Sequence, residues 1–204
     1  TQHSVKELRS LGISPDVLVC RSEQELPKDE KNKIALFCSV PAKSVVSMHD
    51  VDTVYSIPIL LNKQKVDDTI LKKLNLKIKK PNLNDWKRVV KAKLLPEKEV
   101  NVSFVGKYTE LKDSYKSINE ALEHAGIQNK AKVNINFVEA EQITSKNVKR
   151  VLKKSDAILV PGGFGERGIE GMILACKYAR ENNVSYLGIC LGMQLAVIEI
   201  ARNV

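Results

Sequence analysis

The sequence predicts an α/β protein whose second half is an open, mainly parallel sheet covered by helices on both faces. Three observations carry this. From Glu99 onward short apolar runs alternate with segments of helical period. Two of the later runs end in glycine turns, Pro161-Gly-Gly-Phe-Gly165 and Gly188-Ile-Cys-Leu-Gly192, each followed by a helical pattern. The first 74 residues show a looser alternation of the same kind, so a second α/β unit precedes the first sheet.

In chain order, Ser4-Val-Lys-Glu7 reads as a capping box opening a helix with Val5, Leu8 and Leu11 on one face, and Gly12 as its stop. Asp16–Cys20 is a short apolar strand. Pro27 suits the first position of a helix reaching about Cys38. Val45–Met48 is a strand, and residues 58–74 form two short helices, the second opening at Asp67-Asp68. Residues 75–83, Lys-rich and carrying Pro81, read as a linker. Asp85–Leu95 is amphipathic, with Trp86, Val89, Val90 and Leu94 on one side. Then follow strand 100–106, helix 114–125 stopped by Gly126, and strand 132–138 with Val133, Ile135 and Phe137 on one face. Helix 145–154, strand 156–160, helix 168–182, strand 185–189 and helix 191–203 complete the pattern. The expected domains are 1–74, a linker and helix over 75–98, and 99–204.

The chain is 43% hydrophobic and 28% charged, the balance of a folded globular protein rather than a disordered one. Its net charge of +9 is uneven: residues 1–98 hold 19 Lys/Arg against 12 Asp/Glu, and the remainder 14 against 12. That excess suits an anionic partner or a solvated lysine surface. No apolar stretch approaches the ~20 residues that span a membrane, and no signal-peptide pattern opens the chain. Cys20, Cys38, Cys176 and Cys190 show no paired C-x-x-C spacing, so neither a zinc site nor a disulfide frame is indicated. The first three lie in or beside apolar runs and read as core residues in a reduced, cytoplasmic setting. The chain opens without Met and closes inside a helical pattern, so both ends read as cuts through a longer protein.

Chemistry concentrates in the two glycine turns. In Gly188-Ile-Cys-Leu-Gly192 an apolar strand runs straight into a helix, the G-x-nucleophile-x-G elbow with Cys190 as nucleophile. The sharp turn leaves no room for side chains beside the nucleophile, and it sets the sulfur at a helix N-terminus, where the dipole favours a thiolate. The plain alternative is a buried Cys in a glycine turn. In Pro161-Gly-Gly-Phe-Gly165 consecutive glycines let the backbone approach a substrate and expose N–H groups. The N–H of Gly163 with that of Leu191 can form an oxyanion hole. A tight βα connection is the alternative there.

Together these two segments resemble the class I glutamine amidotransferase domain, which implies a flavodoxin-like sheet, here incomplete, and Cys190 as the residue that attacks the glutamine carboxamide. The resemblance implies oxyanion or glutamine contacts at Gly163, Leu191, Gly192, Met193 and Gln194. The first half narrows the family. Thr1–Asp16, Cys20-Arg-Ser, Lys33–Cys38, Val51–Pro58 and Gly106–Lys116 resemble, in order, segments of the CTP synthase family. That implies the C-terminal part of a P-loop-like α/β synthetase domain ahead of the glutaminase domain. It further implies ATP-dependent amination of UTP to CTP with ammonia from glutamine. UTP or CTP contacts fall on Thr1, Gln2 and Lys33, and contacts to the ATP base on Arg21, His49, Asp50 and Val51. The implied partners are nucleotides, with GTP as activator and CTP as feedback inhibitor, and a homotetramer; no nucleic acid or membrane partner is implied.

The family's phosphate-binding loop and Mg²⁺ carboxylates lie upstream of these segments, and the His and Glu that complete the glutaminase triad lie downstream. No metal ligand is therefore expected here, His3, His49 and His124 are not expected to serve as the base, and the 204 residues alone are expected not to be competent. Two other readings are a different Cys-elbow hydrolase on the same sheet and a non-catalytic assembly fragment. The nucleotide-binding resemblance of residues 1–74 weighs against the first.

Overall fold

The computed structural model describes residues 1–77, 80–107 and 112–204, in two compact units, Thr1–Leu94 and Leu95–Val204. Lys79 of the expected linker and residues 108–111 of the Gly106–Lys116 segment lie outside the described residues.

The first unit is built on two parallel strands, β1 (Leu18–Ser22) and β2 (Val45–His49), joined through helix α2 (Lys28–Cys38). Helix α1 (Gln2–Ser10) precedes them, and α3 (Ile57–Lys63), α4 (Val66–Lys73) and α5 (Asn84–Leu94) follow. Val5, Leu18, Cys20, Ala35, Cys38, Val40 and Val45 close its core. The side-chain amide of Gln64 acts as a strand edge for β2: its Nε2 donates to Ser47 O (2.9 Å) and its Oε1 accepts from Ser47 N (3.0 Å). Trp86 seats α5 by donating from Nε1 to Tyr55 O at 2.6 Å.

Two expectations are corrected here. The Ser4–Glu7 capping box does not form, because α1 starts at Gln2 with Thr1 as its N-cap, and Val5 N already donates to Thr1 O. Strand β1 starts at Leu18 rather than Asp16, since that is where pairing begins, opposite Val45. Gly12 does end the helix region: its φ of +81° fits the left-handed exit, and its N–H caps Arg9 O.

The second unit is a four-stranded parallel sheet of β3 (Lys98–Gly106), β4 (Ala131–Glu139), β5 (Ala157–Val160) and β6 (Ser185–Gly188), in spatial order β4-β3-β5-β6. Going out to β4 and back past β3 to β5 is the flavodoxin-like winding, which places a switch point between β3 and β5. Helix α6 (Lys116–Gln128) covers one face over Phe104, Val133, Ile135 and Phe137. Helices α7 (Val148–Leu152), α8 (Ile169–Glu181) and α9 (Leu191–Asn203) cover the other over Val105, Ile158 and Val160.

Gly126 does not stop α6, which continues to Gln128. It is needed for space: a Cβ there would lie 2.6 Å from Ala131 O, so the glycine lets the helix lie against the start of β4. Helix α7 is shorter than the expected 145–154 because Asn147 is spent on the turn before it, accepting from Thr144 N (2.8 Å) and donating to Gln142 O (2.7 Å).

Helices α8 and α9 are tied by polar contacts as well as by apolar packing. Glu199 has no exposed surface and accepts two bonds from Arg180, at 2.9 and 2.7 Å. Arg202 pairs with Glu170 at 3.0 Å, and Lys177 donates to Asn203 at 3.0 Å. The Arg180 hydrogen bonds hold the Glu199 carboxyl below its usual range against the opposing effect of burial. A carboxylate whose pKa is depressed by folding stabilises the fold above the unfolded pKa and loses that contribution as the pH falls through the folded one. Arg180→Met leaves a buried carboxylate without its partner, and should lower the melting temperature of this unit by on the order of 10 °C at neutral pH. The gap to wild type should shrink as the pH falls through the carboxylate range and Glu199 becomes neutral. Melting curves across that range check it; a gap independent of pH would show that the pair is not what holds α9.

Candidate active site

The carboxyl ends of β3, β5 and β6 lie side by side, and Lys107, directly after β3, meets the turn that leaves β5, which in turn lies against the segment that leaves β6. After β6 the chain passes Ile189, whose N–H donates to Val160 O at 2.9 Å, and turns at Cys190. Cys190 has φ +51° and ψ −104°, a left-handed conformation that a residue with a Cβ adopts only when its surroundings enforce it. Helix α9 starts at the next residue, and its first turn closes by Gln194 N donating to Cys190 O at 3.1 Å.

The flanking glycines are what enforce this turn. A Cβ on Gly192 would stand 2.1 Å from Val160 O, and one on Gly188 would stand 2.5 Å from both Gly192 C and Met193 N. The first turn of α9 therefore lies directly on the ends of β5 and β6, with backbone against backbone. Cys190 is exposed, whereas Cys20, Cys38 and Cys176 are buried, as their positions in apolar runs led one to expect.

The turn after β5 lies against the same sulfur-bearing residue. A Cβ on Gly162 would meet Cys190 Cβ at 3.5 Å, and one on Gly163 would meet Leu191 Cδ2 at 3.4 Å. The structure thus brings Gly163, Cys190, Leu191 and Gly192 together, with Met193 and Gln194 exposed in the first turn of α9 beside them.

One residue of this site carried no role in the sequence reading. Lys107, directly after β3 at the switch point, is only 3% exposed, and its ammonium donates to the carbonyls of Phe164 (2.9 Å) and Gly165 (2.6 Å). Its aliphatic stem runs 3.9 Å from where a Gly163 Cβ would be. Arg167 donates to the Lys107 carbonyl and pairs with Glu141 at 2.7 Å. Burial pushes the Lys107 pKa down, and the Arg167 charge adds to this, partly countered by Glu141. A buried lysine satisfied by two loop carbonyls is a strut that holds the 161–165 turn in one shape. Phe164, at the tip, is 93% exposed. The available signal was position: Gly106-Lys107 ends the strand beside which the sheet reverses direction.

In the first unit Arg21, His49 and Asp50 gather at the carboxyl ends of β1 and β2, where Arg21 pairs with Asp50. His49 Nδ1 is buried without a hydrogen-bond partner among the described residues. Val51 follows directly, half-buried. Lys33 is an exposed residue of α2, and Thr1 and Gln2 stand exposed at the start of α1. His124 is exposed on α6, its Nε2 3.9 Å from Glu120.

Comparison with known proteins adds to this geometry. Residues 1–76 match the family model of the CTP synthase N-terminus, and residues 110–204 match the model of class-I glutamine amidotransferases. A solved Trypanosoma brucei structure described as the CTPS glutaminase domain with bound acivicin is 41% identical over 52% of this chain, with a TM-score of 0.49. The chain spans 41% of that chain's length.

If Lys107 sets the shape of the glycine turn, Lys107→Met should slow covalent labelling of Cys190 by a glutamine-like electrophile by about tenfold or more. Labelling of the same variant by iodoacetamide, which needs only the exposed sulfur, should stay within about twofold. Equal loss with both reagents would assign Lys107 to the sulfur's exposure instead.

Proposed function

The chain belongs to the CTP synthase family, and on that premise we propose that Cys190 is the nucleophile that releases ammonia from glutamine for the amination of UTP to CTP. The observation that carries this is the left-handed Cys190 held between β6 and α9 with the Gly162-Gly163 turn against it. An exposed sulfur at such an elbow faces a bound carboxamide, while backbone N–H groups stand on the side where negative charge develops.

In this reading the Cys190 sulfur bonds to the carboxamide carbon, and the carbonyl electrons move onto oxygen. Gly163 and Leu191 donate their N–H groups to that oxyanion. Collapse breaks the C–N bond, ammonia leaves with the proton taken from the thiol side, and water then hydrolyses the thioester to glutamate. Gly192, Met193 and Gln194 line the bound glutamine. The base that relays the protons is the downstream His of the family pattern, oriented by its Glu.

The first unit takes the nucleotides. ATP phosphorylates the 4-oxygen of UTP, and ammonia displaces that phosphate. Arg21, His49, Asp50 and Val51 receive the ATP base; His49 Nδ1, without a hydrogen-bond partner among the described residues, and the Arg21 guanidinium on the neighbouring strand offer polar groups of the kind a purine edge requires. Thr1, Gln2 and Lys33 contact UTP or the inhibitory product CTP. Mg²⁺ supplies charge neutralisation on the transferred phosphate when bound, with ligands from the upstream part of the synthetase domain. Activation by GTP, assembly as a homotetramer and a cytoplasmic setting complete the proposal. Among the described residues no helix is long and apolar enough to cross a membrane.

Full-length Cys190→Ala tests it. With glutamine as donor, CTP formation should fall by about 10³-fold or more. With ammonia as donor, it should remain within about twofold of wild type. Survival of the glutamine reaction would make Cys190 structural, and absence of CTP from the wild type with either donor would refute the synthetase reading.

A further inference from the structure

Next to the elbow, in the first turn of α9, one peptide is held by three groups at once. The Gly192–Met193 peptide lies against Gly188, where a Cβ would stand 2.5 Å from Gly192 C and from Met193 N. Gly192 itself lies on Val160 O. A third group reaches the same peptide: the Tyr186 hydroxyl donates to Gly192 O at 2.8 Å. Tyr186 belongs to β6 and points to the face covered by α8 and α9, where its ring packs with the apolar core. Burial and the neighbouring Cys176 push the phenol well above its ordinary pKa, so it stays a neutral donor at any working pH. Cys176, buried on α8, is its other polar neighbour, and burial likewise pushes that thiol up.

The arrangement is asymmetric. Glycine contacts only forbid approach; they do not pull. Backbone bonds from Gly192 N to Ile189 O and from Ile189 N to Val160 O close the elbow, and the Tyr186 hydroxyl adds the side-chain bond that ties the Gly192 carbonyl, in the first turn of α9, to β6. The residue it holds is two positions after Cys190 and one after Leu191, so a rotation of this peptide moves both the sulfur and the N–H proposed for the oxyanion. Resting on the glutaminase reading above, we infer that Tyr186 is a positioning residue for Cys190, its hydroxyl fixing the Gly192 carbonyl and thereby the elbow.

The test uses the full-length protein with Tyr186→Phe, which keeps the ring and its packing and removes only the donor. Glutamine-dependent CTP formation should lose about tenfold in kcat, the worth of one directional hydrogen bond expressed at the transition state. KM for glutamine should change less than threefold, and the ammonia-dependent reaction should match wild type. Cys176→Ala, which disturbs the same helix packing without removing the Gly192 bond, should stay within twofold in both reactions. A glutamine kcat for Tyr186→Phe within twofold of wild type would overturn the inference, as would an equal loss in Cys176→Ala. So would a Tyr186→Phe protein that fails to fold, since the hydroxyl would then serve stability. Cys190→Ala run beside these separates the two levels. If it keeps glutamine activity, the glutaminase reading fails; if it loses activity while Tyr186→Phe does not, the positioning inference alone fails.

Discussion

The structure of the second unit turns on one close approach, the contact of Gly192 with the carbonyl oxygen of Val160. Any side chain at position 192 would sit 2.1 Å from that oxygen, so helix α9 can begin where it does only over glycine. Because the helix must begin there, the chain has only Ile189 and Cys190 in which to leave β6, and the turn falls on Cys190, at φ +51°. Strain at a non-glycine residue persists only where surrounding packing over-determines it. Here the over-determination comes from β5, from Gly188 of β6, and from the ties between α8 and α9 at Arg180–Glu199.

The winding of the sheet decides what stands near this turn. The chain goes from β3 outward to β4, then back across to β5 and on to β6, so the winding reverses between β3 and β5. Lys107, buried directly after β3 at this switch point, binds the carbonyls of Phe164 and Gly165 in the 161–165 turn. A buried ammonium would be costly without those carbonyls, and the turn would have no fixed shape without the ammonium. The consequence is a glycine-rich loop that is permissive in sequence terms yet held by a charge at its base, with Gly162 packed against Cys190. Such division of labour, rigid support below and open backbone above, is the kind of preorganisation that the proposed oxyanion role of this turn calls for.

Much of this was legible in the sequence. The strand and helix alternation from Glu99 pointed to the fold class, and the two glycine turns picked out in the sequence are segments that the structure brings together; helix 191–203 was read to the residue. Those signals are strong because a glycine at a backbone contact has no substitute. What was not legible has physical reasons. Ser4 and Glu7 match a capping box, yet the helix begins two residues before Ser4, since a capping pattern does not fix where a helix starts. Gly126 looked like a stop because sequence cannot tell a glycine chosen for its φ from one chosen for space. Lys107 looked like one lysine among many, since burial depends on contacts with residues almost sixty positions away. The Tyr186 hydroxyl was hidden in an apolar strand for the same reason in reverse: its partner is six residues on, but only the sharp turn brings it back.

The most direct test of the central claim is to expose the full-length protein to a glutamine-mimicking electrophile and locate the adduct by peptide mass spectrometry. The account predicts one adduct, on Cys190, formed faster than with a simple alkylating agent of equal reactivity and suppressed by excess glutamine. An adduct on Cys20, Cys38 or Cys176, or labelling of Cys190 that glutamine does not suppress, would contradict it.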